Sequence, residues 1–200
     1  MTGTVSLLFY TGGGFDSYIE SVRLAEAFEK AGNNPMPGSC IGPTLEYGFS
    51  PLFSIETELL FSIEGGGYVL YSGDDRQAHL INEYNLDIPL FAKICVLRKQ
   101  RHILYLKAGP QVSILLGESE IVQDGHEFDT RNNGRDNFNP VGFGILSAAG
   151  WQVKMKKHDV LLELRYCREF TESIRNTGAN FQNAVSIGLG LKFGTAGEIR

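Results

Sequence analysis

Apolar and polar residues alternate along most of this chain with a period of two. The stretch from Phe53 to Ile63 shows it most clearly, because an apolar series that includes Phe53 and Ile55 is interleaved with Glu56 and Glu58. Successive side chains of a β-strand point to opposite faces. The pattern therefore predicts strands with one apolar face and one charged face.

Eight segments with this pattern, or with a bounded apolar run, are predicted as strands. They are Val5–Phe15, Cys40–Phe49, Leu52–Ile63, Asn85–Leu97, Ile103–Leu116, Val141–Val153, Val160–Phe170 and Asn183–Phe193. An even number of such segments favours a closed antiparallel barrel. We therefore predict an all-β fold, an eight-stranded antiparallel up-and-down transmembrane β-barrel.

The connections between these segments alternate between short and long. The short ones lie near residues 48–51, 98–102 and 154–158, and the long ones span 16–39, 64–84, 117–140 and 171–182. Outer-membrane barrels place short turns in the periplasm and long loops outside. We expect the same arrangement here, with both ends of the barrel in the periplasm. Helix-like spacing over Tyr18–Ala31 predicts one short helix in the first long loop.

The polar faces carry acids and bases in balanced numbers. We predict that six of them form a structural charge network inside the barrel: Glu56, Glu58, Lys93, Lys107, Glu163 and Arg165. The interior of an eight-stranded barrel is just wide enough for side chains to fill. We therefore expect no open pore.

The length and net charge of the chain further limit the classes of protein to which it can belong. Two hundred residues suit a single barrel domain over 1–200, and the net charge of −5 argues against a nucleic-acid partner. No apolar run is long enough for a transmembrane helix, but barrel strands need only about 9–11 alternating residues. The first residues show no signal-peptide pattern, and for an exported barrel we expect the signal peptide to have been removed.

Few residues have the spacing of a catalytic, metal or disulfide site. The four histidines show no metal-ligand or triad spacing, and the three cysteines form neither a disulfide framework nor a C-x-x-C site. In the loop Asp124–Asp136, which partly resembles a calcium-binding loop, Arg131 stands where an oxygen ligand is needed. We expect no cofactor, no metal, no catalytic residue and no enzymatic activity.

Five segments resemble a known family. They are Leu86–Lys93, Tyr105–Pro110, Gly142–Gly150, Leu162–Tyr166 and Val185–Phe193. In this order they are similar to the outer-membrane β-barrel domain family that includes the PorT-like proteins. The resemblance implies an eight-stranded barrel exported to the outer membrane of a Gram-negative-type envelope. Many members of that family have no assigned activity, and some serve protein secretion. Two departures are the helix-like insert in the first loop and the tail of seven residues after Phe193.

The function predicted from the sequence is a small integral outer-membrane barrel with a structural or surface-interaction role at the cell surface. Its expected partners are outer-membrane lipid, the barrel assembly machinery, and a protein or small molecule bound at the long loops. The alternative is a soluble lipocalin-like barrel, which would place large apolar side chains inside and charges outside. A third class is an outer-membrane enzyme acting on lipids, for which the sequence shows no arranged nucleophile and base.

Overall fold

Strands account for every regular element that the structure describes. The computed structural model describes residues 2–16, 34–35, 37–72, 75–124, 127–131, 139–171 and 182–193, and side chains for 38–64, 82–119, 121, 139–171 and 183–193. The strands are β1 (Thr2–Asp16), β2 (Asn34–Pro35), β3 (Pro37–Gly48), β4 (Phe53–Glu58), β5 (Leu60–Ser72), β6 (Asp75–Lys99), β7 (His102–Asp124), β8 (Glu127–Arg131), β9 (Val141–Lys154), β10 (Asp159–Glu169) and β11 (Gln182–Phe193). No helix among the described residues is long and apolar enough to cross a membrane.

The strands close into a ring of antiparallel pairs. Each barrel strand pairs with the next along the chain, and β11 pairs with β1, for example Val5 with Phe193. β4 and β5 are two halves of one barrel strand, interrupted at Leu59, whose amide donates to the Pro43 carbonyl at 3.0 Å. Among the described residues the barrel strands are β1, β3, β4–β5, β6, β7, β9, β10 and β11. The predicted eight-stranded barrel is confirmed.

Two of the predicted long loops are wrong in part. Residues 64–72 and 75–84 do not form a loop, because β5 continues to Ser72 and pairs with β6 from Asp75 onward. Within 117–140, β7 continues to Asp124 and pairs with β8. The side-chain alternation fades in these stretches, yet backbone pairing alone extends the strands. The helix predicted over Tyr18–Ala31 lies outside the described residues.

Burial alternates along the strands in the sense that a membrane barrel requires. On β4, Ser54 and Glu56 are buried, whereas Phe53 and Ile55 are 38% and 37% exposed. The exposed apolar side chains cover the outside of the barrel and include Leu45, Leu59, Leu90, Ile94, Leu104, Leu106, Ile145, Leu164, Ile187 and Leu189. A lipocalin-like barrel has the opposite arrangement, with the charges outside. The soluble alternative is therefore wrong.

The apolar outer surface forms a band with aromatic residues at its edges. On β9, Phe143 and Trp151 both face outward, and the eight steps between them correspond to about 26 Å along the strand. A strand tilt of about 40° reduces this to about 20 Å in height, close to the band of about 25 Å in outer-membrane barrels. The outer surface thus matches the hydrocarbon layer of a membrane in both polarity and height.

Candidate functional site: the filled lumen

The barrel interior holds a group of eight acidic and basic side chains, which we call the lumen network. Its members are Glu46, Glu56, Glu58, Lys93, Lys107, Glu163, Arg165 and Lys192. They come from β3, β4, β6, β7, β10 and β11, and each stands at an inward position of its strand. Four carboxylates face four cations, so the network is neutral when all eight groups are ionised.

Lys107 lies at the centre of the network. Its side chain is fully buried, and Nζ lies 2.8 Å from an oxygen of Glu58 and 2.8 Å from an oxygen of Glu163. Nζ also donates to Glu56. An ammonium group has three donors. These three carboxylates on two strands therefore use its full capacity.

Arg165 joins the opposite walls of the barrel. Its Nη1 donates to Glu58 Oε2 at 2.7 Å, Nη2 donates to the other oxygen of the same carboxylate, and Nε donates to Glu163 at 2.9 Å. Two parallel hydrogen bonds to one carboxylate fix both the position and the orientation of the pair. β4 and β10 are thereby connected across the lumen.

Two lysines extend the network towards the short turns. Lys93 lies 2.7 Å from Glu56 and 3.0 Å from Glu46, and Lys192 lies 2.7 Å from Glu46. The Ser54 hydroxyl donates to the other oxygen of Glu46 at 2.8 Å. The ionic network therefore continues from the barrel centre almost to its short-turn end.

Aromatic rings fill the space between the charged groups. The Tyr105 hydroxyl donates to Glu163, and its ring lies opposite Gly150, where a Cβ atom would collide with the ring. The Lys93 Nζ lies 4.1 Å from the centre of the Tyr105 ring, and the Lys107 Nζ lies 4.5 Å from the centre of the Phe91 ring. These contacts place cations against the ring faces, where the interaction is favourable.

Two further layers lie beside the network, an apolar one towards the short turns and a polar one with a carboxylate towards the loop end. Towards the short turns, buried Ile103 and Leu161 pack with Tyr105. Towards the loop end, Gln111 donates to Ser113 at 3.1 Å, and Ser113 donates to Glu169 at 3.4 Å. Described side chains thus occupy the lumen at several successive levels along the barrel.

The structure places all six residues of the predicted network in the lumen and brings all six into one connected cluster. Glu46 and Lys192 belong to it as well and were not in the predicted set. Glu46 occupies the same face of its strand as buried Thr44, so extending the alternation of the second strand would have found it. Among the described residues, no group of three His, Cys, Asp or Glu side chains has a metal-binding arrangement.

The fold is similar to that of a solved outer-membrane protein. The chain is similar to the outer membrane protein OprG from Pseudomonas aeruginosa, with 14% identity, a TM-score of 0.55, and coverage of 96% of this chain and 95% of OprG. It also aligns with Neisserial surface protein A (10% identity, TM-score 0.46, coverage 94% and 96%) and with Ail, the attachment invasion locus protein of Yersinia pestis (8%, 0.42, 96% and 98%). At these identities the OprG likeness shows the fold alone.

Sequence comparison gives the family. No curated protein sequence matches significantly. A family model described as an outer membrane protein beta-barrel domain matches residues 9–175. The narrower PorT-like grouping stays a prediction. With the apolar band outside and the lumen network inside, the chain belongs to the outer membrane β-barrel domain family and is a small integral protein of the outer membrane.

Proposed function

We propose that this protein is a sealed barrel that carries an extended β-sheet at the cell surface, where the sheet binds a partner. The observation that carries the proposal is the continued pairing of strands past the lumen network. Ser72 pairs with Asp75 at one end of the β5–β6 hairpin, and Gln77 pairs with Asp124 across β6 and β7. From Asp87 to Asp75, β6 runs for about 40 Å at ~3.3 Å per residue.

The barrel below this sheet supports it mechanically. Lys107 and Glu58 are completely buried at the centre of the lumen, and Arg165 connects opposite walls. A rigid surface loses little conformational entropy when a partner binds, so less of the favourable interaction free energy is offset by ordering. A filled barrel with a paired sheet above it is such a surface.

The charge pattern of the sheet indicates the kind of partner. Asp75 begins β6 beside the end of β5, and Asp124 at the end of β7 pairs with Glu127 of β8, so three carboxylate-bearing residues lie at the outer end of the sheet. Complementary charge speeds association and excludes partners of like charge. This acidic outer end favours a protein or small molecule with positive charge.

The lumen network serves the barrel mechanically rather than catalytically in this proposal. A general acid or base has to exchange a proton with a substrate. Glu56, Glu58 and Glu163 instead bind Lys107, and Glu58 accepts two further hydrogen bonds from Arg165. The arrangement holds these carboxylates in contact with protein cations.

The surface location of the sheet is tested by labelling cysteines on intact cells. In a variant whose Cys40, Cys95 and Cys167 are replaced by serine, Ser72→Cys is expected to react with a membrane-impermeant maleimide in intact Gram-negative cells. The matched variant Lys156→Cys, in the β9–β10 turn, is expected to react only after the outer membrane is permeabilised. The reverse labelling pattern would place the sheet in the periplasm and reject the proposal.

A further inference from the structure

Six basic side chains at the short-turn end of the barrel take no part in the lumen network. They are all exposed, and we call them the basic rim: Arg98, Lys99, Arg101, Lys154, Lys156 and Lys157. The chain has 18 lysines and arginines and a net charge of −5. One third of its positive side chains is therefore concentrated in two turns of an acidic protein.

The two turns form one continuous surface. His102 pairs with Val153 where β7 and β9 begin and end, and the Lys154 amide donates to the Arg101 carbonyl at 2.7 Å. Arg98 reaches towards the neighbouring β3–β4 turn and donates to the Pro51 carbonyl at 2.8 Å. The basic rim thus covers adjacent turns and does not consist of scattered lysines.

No carboxylate of the described residues forms an ion pair with the basic rim. Asp159, the first residue of β10, is the acidic residue next to the β9–β10 turn, but it accepts hydrogen bonds from the Gln152 side chain at 2.6 Å and from the Met155 amide at 3.4 Å. Its carboxylate therefore stabilises the turn. The positive charge of the rim is left for an external anion.

Aromatic contacts place the basic rim at the membrane interface. Trp151 faces outward on β9, three residues before Lys154, and its ring stacks on His102 with centroids 5.7 Å apart. The His158 ring lies 6.0 Å from that of Phe193. Tryptophan and other aromatic girdle residues of barrels sit at the level of lipid headgroups. The six cations therefore lie at the depth of lipid phosphates.

We propose that the basic rim binds the phosphate headgroups of anionic glycerophospholipids, such as phosphatidylglycerol, in the leaflet next to the short turns. Arginine can bind a phosphate through two parallel hydrogen bonds, and lysine attracts it as a point charge. The rim continues directly into the lipid-facing band through Trp151, which favours a lipid over a soluble acidic protein. This site is at the opposite end of the barrel from the sheet and does not depend on the function proposed for it.

Fluorescence of Trp151 tests the proposal, since it is the only tryptophan of the chain. The full chain is reconstituted in phosphatidylcholine vesicles that contain increasing fractions of phosphatidylglycerol with brominated acyl chains, which quench nearby indoles. Brominated phosphatidylcholine is the reference lipid. We expect phosphatidylglycerol to be preferred at least about fivefold near Trp151, the factor that corresponds to roughly one basic residue at a charged surface. The preference should fall at high salt.

Variants assign the preference to the rim. Arg101→Gln and Arg168→Gln form a matched pair, because both arginines are exposed but Arg168 lies at the loop end of β10. We expect Arg101→Gln and the two triple variants R98Q/K99Q/R101Q and K154Q/K156Q/K157Q each to lower the preference, and Arg168→Gln to leave it unchanged. Heat-dependent gel mobility identifies the variants that have folded. An equal affinity for both lipids in the natural chain, or a preference that survives in the folded rim variants, would overturn the proposal.

Discussion

At the scale of single residues, the direction of each side chain could be predicted but its partners could not. The period of two assigns Glu56, Lys107 and Arg165 to one face of their strands, and the structure has them in the lumen. The ion pair between Arg165 and Glu58 joins residues 107 positions apart. Such a contact depends on ring closure and strand register, which no local pattern contains.

Lys107 provides the first residue-scale prediction. Lys107→Met leaves Glu56, Glu58 and Glu163 without their shared cation, and removing one member of a buried ionic group costs about 3–5 kcal/mol. We expect the free energy of unfolding in lipid vesicles, measured by urea titration, to fall by about that amount. The double variant K107M/E56Q should recover part of the loss, because it removes one uncompensated carboxylate.

With vesicles of phosphatidylcholine alone for every variant, the control is Lys156→Met, which removes a lysine of the exposed β9–β10 turn and should change the free energy of unfolding by less than about 0.5 kcal/mol. If Lys107→Met were as stable as this control, the network would not hold the barrel together. A catalytic role for its carboxylates would then become the better explanation.

At the scale of strands, alternating polarity predicted the strands correctly within the membrane and missed their extensions beyond it. Inside the band every strand needs an apolar outer face, so alternation marks β4, β9 and β10 clearly. Above the band β5 and β6 remain paired as far as Ser72 and Asp75, but no lipid requires alternating polarity there. Residues 65–72 and 75–83 therefore have the sequence pattern of a loop although they form strands.

Close contact between strands makes a second prediction, at Gly109 of β7. A Cβ atom at this position would collide with the backbone carbonyl of Leu90 on β6, and backbone cannot move aside as a side chain can. We expect Gly109→Ala to lower the free energy of unfolding by about 1–3 kcal/mol, a typical cost of overpacking. The urea titration in vesicles measures it.

Gly117→Ala is the matched control on the same strand. Its nearest neighbour would be the Tyr84 ring at 3.9 Å, an ordinary contact. Replacing glycine where alanine fits restricts the unfolded chain, so this variant should be unchanged or up to about 1 kcal/mol more stable. Equal effects of the two substitutions would show that the β6–β7 approach does not limit side-chain size at Gly109.

At the scale of the whole molecule, the charges are sorted by location. The neutral lumen network lies inside the barrel, six cations lie exposed on the short turns, and the acidic residues Asp75, Asp124 and Glu127 lie at the outer end of the sheet. The net charge of −5 alone does not show this separation of charges. It indicates a barrel whose two ends meet different surroundings, lipid phosphates at one end and a positively charged partner at the other.

The central claim is that the lumen is filled and the protein is not a pore. Its most direct test is the conductance of a planar lipid bilayer after insertion of the purified, heat-modifiable barrel in concentrated potassium chloride, with a wide sixteen-stranded porin as the positive control. Because the lumen network and the layers beside it occupy the interior, we expect no stable conductance steps above the bare bilayer. Reproducible ohmic steps whose number grows with the amount of inserted protein would contradict the account.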